Sequence, residues 1–389
     1  MIILNDTLSI LAILCLNIVI SEWLCEKPFF KHVGTGLMVI ILTAIVANLG
    51  IIPASSPATP LYDGIFAYIA PLSIFLMLLN VNLSSLKKAG KPMLMMFLIG
   101  SFATMVGALV AMWLVDGKLQ IGEFYHALGG MYTGTYIGGS INFNAVALHY
   151  GVSQQGGLFS AATVADNIIT ALWVIATLAL PQILNRKFPR KVVIEISEEN
   201  KEETHKYTSD IESVRPFDLA FLLLISFVGI QTATWLSSQI PQIPTILWLT
   251  TIALILAQIP AVNRLKGHKL LGLLGVYLFL AVIGAYCDVP ALIKDGKLAV
   301  VLLAFVTILV SIHGFIIYGM GALLKQDWDI VSIASQANVG GSASAMALSR
   351  SLNRSDLTLP GILVGALGNA TGTYWGILIA EFIRNSGLF

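Results

Sequence analysis

Long apolar stretches separated by short polar ones dominate the chain. Ten of them, at 4–24, 34–52, 62–83, 92–115, 157–184, 217–238, 243–262, 269–287, 298–324 and 359–383, approach the roughly 20 residues that cross a bilayer as a helix. The first has no basic residues before it and no small-residue cleavage site after it. It is therefore expected to be a retained span and not a removed signal peptide. Two stretches break the pattern: 124–151 (FYHALGGMYTGTYIGGSINFNAVALHYG) and 329–352 (DIVSIASQANVGGSASAMALSRSL). Both are moderately apolar yet rich in Gly, Ser, Thr and Asn, and neither reads as a plain lipid-facing helix. The long polar segment 185–216 reads as a solvated linker and splits the chain near its middle.

The composition agrees with a membrane protein. Of 389 residues, 57% are hydrophobic and 11% charged, whereas soluble domains carry about 25% charged residues. A net charge of +1 leaves no basic excess to neutralise phosphates, so no nucleic-acid partner is expected. Cys15, Cys25 and Cys287 lack metal-ligand spacing, and no cluster of His or Cys suggests a transition metal. No phosphate-binding loop, zinc-protease motif or nucleophile elbow is present, so neither ATP-driven pumping nor an enzyme is expected.

The two sides of the linker are related. A shift of 202 residues aligns Gly138-Gly139-Ser140 with Gly340-Gly341-Ser342, Asn167 with Asn369 and Trp173 with Trp375. Only 8 of the 41 pairs from Gly138 to Leu178 are identical, but the order of elements is the same, and Lys-rich turns recur at Lys87–Lys91 and Lys294–Lys297. The charges indicate how the halves are oriented, because cytoplasmic loops are enriched in Lys and Arg. If each glycine-rich stretch crossed the membrane, the repeats would be parallel, with 13 basic residues inside and 9 outside. If each is a re-entrant hairpin, 18 of 22 fall inside, leaving only Lys118, Lys294, Lys297 and Arg384 outside. The expected fold is thus an all-α polytopic membrane protein with about ten spans, two glycine-rich re-entrant segments and two inverted repeats. Its parts are a first repeat at 1–184, a cytoplasmic charged linker at 185–216 and a second repeat at 217–389, with both termini external.

Non-helical backbone at membrane depth is tolerated only where it is buried in protein or lines a wet cavity, so each Gly-Gly-Ser implies a polar site. Ser140 and Ser342 can cap the half-helices that follow, whose free N–H groups suit a carboxylate or other anion. Carbonyls left at the end of the preceding half-helices suit sodium. The alternative is close helix packing through small residues; two symmetric copies among hydroxyls and amides favour a site. The solute candidates are Thr135, Gly138, Gly139, Ser140 and Asn142, with Asn338, Gly340, Gly341, Ser342 and Ser344. Asn144 lies nearby. The cation candidates are Thr133, Asp166, Asn167, Ser335, Gln336, Asn369 and Thr373, all bearing hard oxygen donors. Asp166 leads them, because an ionisable group deep in a span is costly and marks function. Asn80 and Asn82 are further polar candidates. Pro71 is expected to kink its helix, His313 reads as a satisfied interior histidine, and Trp173 and Trp375 read as packing residues.

With GTYIGGSINFNAVA and SQANVGGSASAMAL in view, the chain resembles, over essentially its full length, the uncharacterised YjcL-like family of bacterial membrane proteins. Its layout is similar to that of the sodium-dependent citrate and glutamate symporters, which carry opposed glycine-rich hairpins. That likeness is architectural, because this chain has its own Ser after both glycine pairs. More distantly it is similar to the bile-acid symporter and sodium/proton antiporter group, whose antiporters use an Asp-Asp or Asn-Asp pair. The expectation is a sodium-coupled symporter of a small organic anion or zwitterion, a homodimer in the bacterial inner membrane with no organic cofactor. The first two helices of each half are expected to form a dimerising scaffold. The rivals are a cation/proton antiporter using Asp166 and a passive, holin-like pore.

Overall fold

In the computed structural model, residues 4–27, 30, 34–54, 59–79, 81, 83–190, 214–287 and 296–388 are described. Asn80, Asn82, Lys294 and most of the expected linker lie outside them. All regular elements among the described residues are helical. The first half contains α1 (Thr7–Cys25), α2 (Thr35–Asn48), α3 (Pro60–Leu78) and α4 (Lys91–Leu114). These are followed by α5 (Tyr125–Gly138), α6 (Ser140–His149) and α7 (Gly156–Lys187). The second half contains α8 (Pro216–Gln239), α9 (Thr245–Ala257), α10 (His268–Ala285) and α11 (Gly296–Leu323), then α12 (Trp328–Ser351) and α13 (Thr358–Asn385).

Among the described residues, eight helices are long and apolar enough to cross a membrane. The expected spans 34–52 and 243–262 are shorter, as α2 and α9, with 14 and 13 residues. Local breakers set those bounds. Gly34 and Gly50 have positive φ on either side of α2, and Pro244 and Pro260 bracket α9. In α3 a π-helical turn at Ile65–Ile69 precedes Pro71, where the missing N–H leaves a carbonyl without its helical donor. Ser73 donates to the neighbouring Ile69 carbonyl.

Both glycine-rich stretches fold as helical hairpins. α5 and α6 fold back on each other, so that His126 and Tyr150, at their far ends, have ring centroids 5.2 Å apart. Tyr132 and Phe143 meet part-way along with tilted rings, their centroids 5.8 Å apart. The reversal occurs at Gly139, whose φ of 92° and ψ of 176° fall in a region open essentially to glycine alone. α12 breaks in the same way at Gly341 (φ 73°, ψ −171°). Its two ends are joined by Arg354, whose guanidinium lies 2.7 Å from Asp327, 2.9 Å from Asp329 and 2.8 Å from Asp356. Burial opposes the Arg354 charge, but the hydrogen-bonded carboxylates of Asp356 and Asp327 outweigh it and raise its pKa above the ordinary value.

The hairpins open on opposite faces. Tyr150, at the mouth of the first, donates to Glu381 near the end of α13 (2.9 Å). Trp328, at the mouth of the second, donates to the Phe188 carbonyl just past α7 (3.0 Å). α7 therefore runs from one mouth to the other over 32 residues, about 48 Å at the helical rise, and α13 runs back.

The helices sort into two groups. α1, α2 and α3 pack with α8, α9 and α10, while α4, α7, α11 and α13 surround the hairpins. The first group thus holds three helices of each half, where two were expected, because α3 and α10 pack on each other. Phe66 meets Phe279 edge-on at 5.5 Å, and Tyr62 meets Tyr286 at 5.8 Å. Within the second group, α5 and α13 approach through glycine pairs four residues apart. A methyl on Gly130 would strike the Gly376 carbonyl, one on Gly134 would meet Asn142 and the Gly372 carbonyl, and one on Gly138 would overlap Gly368. This is the small-residue packing that lets membrane helices approach backbone to backbone.

Candidate functional site

The hairpin tips meet. A Cβ built on Gly341 would stand 3.8 Å from the Gly138 carbonyl oxygen and 3.9 Å from the Gly139 Cα. On each side of this contact lies a cavity. The first, of about 320 Å³, is lined by Thr135, Gly139, Ser140, Phe143 and Asn144 of the first hairpin. Its other walls are Phe159, Thr163, Asp166, Asn167 and Thr170 of α7, the start of α2, the middle of α10, and Val339 and Gly340 of the opposing tip. The second, of about 300 Å³, is lined by Gly340–Ala343 and Met346 of the second hairpin and by Ile362, Ala366 and Asn369 of α13. Met77, Val81, Lys269 and Gly138–Ile141 complete it. Each cavity lies between the tips and the mouth of its own hairpin, at the seam between the two helix groups.

The α7 wall follows from helical periodicity. Thr163, Asp166, Asn167 and Thr170 recur at i, i+3, i+4 and i+7, so they share one face. Tyr136, in the last turn of α5, and Thr170 lie close beside the Asp166 carboxyl. Yet Asp166 Oδ1, the Tyr136 hydroxyl and the Thr170 hydroxyl are all shielded from solvent, and none of them makes a hydrogen bond. Buried polar atoms without partners are uncommon in native structures and call for an explanation. Asn167 donates to the Thr163 carbonyl (2.8 Å), leaving its amide oxygen directed toward Gly34. Asn369 is the matching wall residue of the second cavity, its oxygen 3.7 Å from a Cβ built on Gly139. Sequence reasoning missed Thr163, Thr170 and Tyr136. The first two were visible as the polar face around Asp166; Tyr136 was not, because it reaches Asp166 from another element.

The other candidates are engaged in the protein interior. Asn142 accepts from Thr373 (2.7 Å) and donates to the Gly368 carbonyl (3.4 Å), which fastens α6 to α13. Thr133 donates to the Gly129 carbonyl in its own helix. Asn338 pairs with Ser101 at 2.9 Å, with Ser101 donating and the amide nitrogen facing the carbonyls of Phe97 and Ala334. Gln336 accepts from Thr177 (3.1 Å), and Ser344 flanks Gly340 without lining either cavity.

Ser335 belongs to a buried chain around His313. Thr104 donates to the Tyr136 carbonyl (2.9 Å), so it can accept from His313 Nδ1, which lies 3.0 Å from both Thr104 and the Gly100 carbonyl. Ser335 accepts from Trp173 Nε1 (3.0 Å) and can donate to His313 Nε2 (2.9 Å). Every donor then finds an acceptor with His313 neutral and its proton on Nδ1. The chain joins the first limbs of both hairpins, α5 and the part of α12 before Gly341, to α4, α7 and α11. It accounts for His313 and Trp173 as packing residues; Trp375 is partly exposed.

Over 371 residues, 90% of each chain, the protein is 28% identical to the uncharacterized membrane protein YjcL of Bacillus subtilis (strain 168). A family model described as a protein of unknown function (DUF819) matches residues 9–386, so the chain is a multi-pass membrane protein that belongs to this family.

Proposed function

We propose that the protein is a secondary active transporter that couples sodium to the movement of a small organic anion or zwitterion by alternating access. The observation that carries this reading is the contact of two oppositely opening hairpin tips, with one cavity on each side. A barrier only a few residues thick, backed by two vestibules, is an arrangement that can be reached from either side in turn. The cavities suit a small solute: each is near the lower end of the range for ligand pockets. α6 and the second limb of α12 both begin at the tips, so their N–H groups and positive dipole ends lie beside both cavities, and Lys269 adds positive charge to the second. Asp166, in the first, supplies the cation partner.

In this mechanism the hairpins with α4, α7, α11 and α13 move as one body against the remaining helices. The halves 1–184 and 217–389 act as inverted repeats, with the linker 185–216 cytoplasmic and the termini external. The unit works as a homodimer in the bacterial inner membrane. The apolar-rich seam passes the hairpins only when cation and solute have offset each other's cost of burial.

Thermal unfolding of the purified chain against a panel of carboxylates and amino acids, in sodium and in choline, tests the coupling. A solute that stabilises only in sodium, or far better there, supports it. Flux through proteoliposomes that neither saturates nor follows an ion gradient would instead establish a passive pore. Transport without organic solute, with protons as the exchanged ion, would establish an antiporter.

A further inference from the structure

The structure assigns, we infer, one sodium site per chain, formed by Asp166 and Thr170 in the wall of the first cavity and the buried Tyr136 beside them, with no counterpart in the second. This deepens the transport reading and rests on it for its purpose, although the site itself can be tested without any solute.

The three oxygens come from two elements, with Tyr136 on the first hairpin and Asp166 and Thr170 on α7. Tyr136 is fully buried, yet its hydroxyl is unpaired, as are the Thr170 hydroxyl and Asp166 Oδ1. Two hydroxyls beside a carboxylate would ordinarily donate to it. That all three atoms remain without hydrogen bonds beside a cavity indicates that they share another partner. Hard oxygens, one of them anionic, suit a small hard cation, and the cavity beyond Asp166 and Thr170 leaves room for its remaining ligands.

The second half shows what this position becomes without a cation. The repeat partners of Tyr136, Asp166 and Thr170 are Asn338, Gly368 and Gly372. Asn338 is occupied by Ser101. Gly368 and Gly372 bring α13 against the backbone of α5, so closely that a methyl on Gly368 would strike the Ile137 carbonyl. The space that holds a carboxylate and a hydroxyl in one half is closed by backbone contact in the other. The cation stoichiometry of this pair of positions is therefore one.

Sodium titrations of thermal stability on the purified full-length chain, at constant ionic strength with choline as the replacement, test the assignment, because a ligand bound only to the folded state raises stability by mass action. Wild type is expected to gain stability in sodium and not in choline. Tyr136→Phe and Thr170→Ala should each raise the sodium midpoint at least tenfold, and Asp166→Asn should abolish the response while melting in choline no lower than wild type, which shows that it folds. A sodium response whose midpoint is unchanged in all three variants overturns the site and leaves sodium coupling standing. No sodium response in wild type overturns both the site and the coupling, leaving only alternating access to be judged.

Discussion

Gly139 and Gly341, 202 positions apart in the chain, face each other across the middle of the protein, with only 3.9 Å between the Gly139 Cα and a Cβ built on Gly341. Both have positive φ, so both hairpin reversals and the contact between them depend on glycine. Placing Ala at Gly139 forces a residue with a Cβ into a sparsely populated region, at about 1–3 kcal/mol. Gly139→Ala is expected to lower thermal stability by that amount, read from the melting midpoint in detergent, and to reduce transport further than stability.

The glycine ladder between α5 and α13 makes a steric prediction of a different kind. At Gly130 the conformation is helical, so the obstacle is the Gly376 backbone and the Ala380 Cβ, 2.8 Å from a built Cβ. Gly130→Val must push the hairpin limb off α13. A loss of at least the roughly 1–3 kcal/mol typical of overpacking is expected, with faster proteolysis near the mouth of the first hairpin. A wild-type melting profile would show that the limb is not held there.

Arg354 closes the mouth of the second hairpin through three carboxylates and is only 5% exposed. Removing one partner of a buried ion pair leaves the others uncompensated, at about 3–5 kcal/mol. Arg354→Gln is expected to cost stability in that range. Combining it with Asp327→Asn and Asp329→Asn should recover part of the loss, because fewer unpaired charges remain. Melting of wild type, the single variant and the triple variant side by side checks this.

The pairing of Asn142 with Thr373 predicts a coupling in stability and not in ion affinity. A cycle of Asn142→Ala, Thr373→Ala and the double variant should give an interaction of about 0.5–3 kcal/mol, as expected for contacting residues. The sodium midpoint should stay within about threefold of wild type, below the tenfold step that corresponds to 1.4 kcal/mol. A large midpoint shift in both single variants would restore Thr373 as a cation ligand and add Asn142 beside it.

The hairpins were legible in the sequence because two independent signals agreed: repeated Gly-Gly-Ser at membrane depth, and a charge count that favoured re-entry over crossing. Asp166 was legible because a carboxylate in an apolar helix is costly whatever surrounds it. The true partners of the other polar residues were hidden. Ser335 is satisfied by His313 and Trp173, the Gln336 amide oxygen by Thr177, and Asn338 by Ser101, each from another helix and most from more than 100 residues away. A hydroxyl or amide near a glycine pair looks the same in sequence whether it holds an ion or a neighbouring helix. The lengths of α2 and α9 were overestimated because hydropathy ran on past Asn48 and Ala257, where Gly50 and Pro260 end the helical geometry.

The most direct test of the central claim is whether the two cavities are reached in turn. In a Cys15→Ser, Cys25→Ser, Cys287→Ala background, Thr163→Cys in the first cavity and Met346→Cys in the second would be labelled by a membrane-impermeant maleimide. Labelling rates would be compared in right-side-out and inside-out vesicles, with sodium and with choline. Alternating access predicts that each cysteine is labelled from one side only, the sides being opposite, and that sodium changes the two rates in opposite directions. Labelling of either cysteine from both sides, or rates that rise and fall together, would contradict it and indicate an open pore.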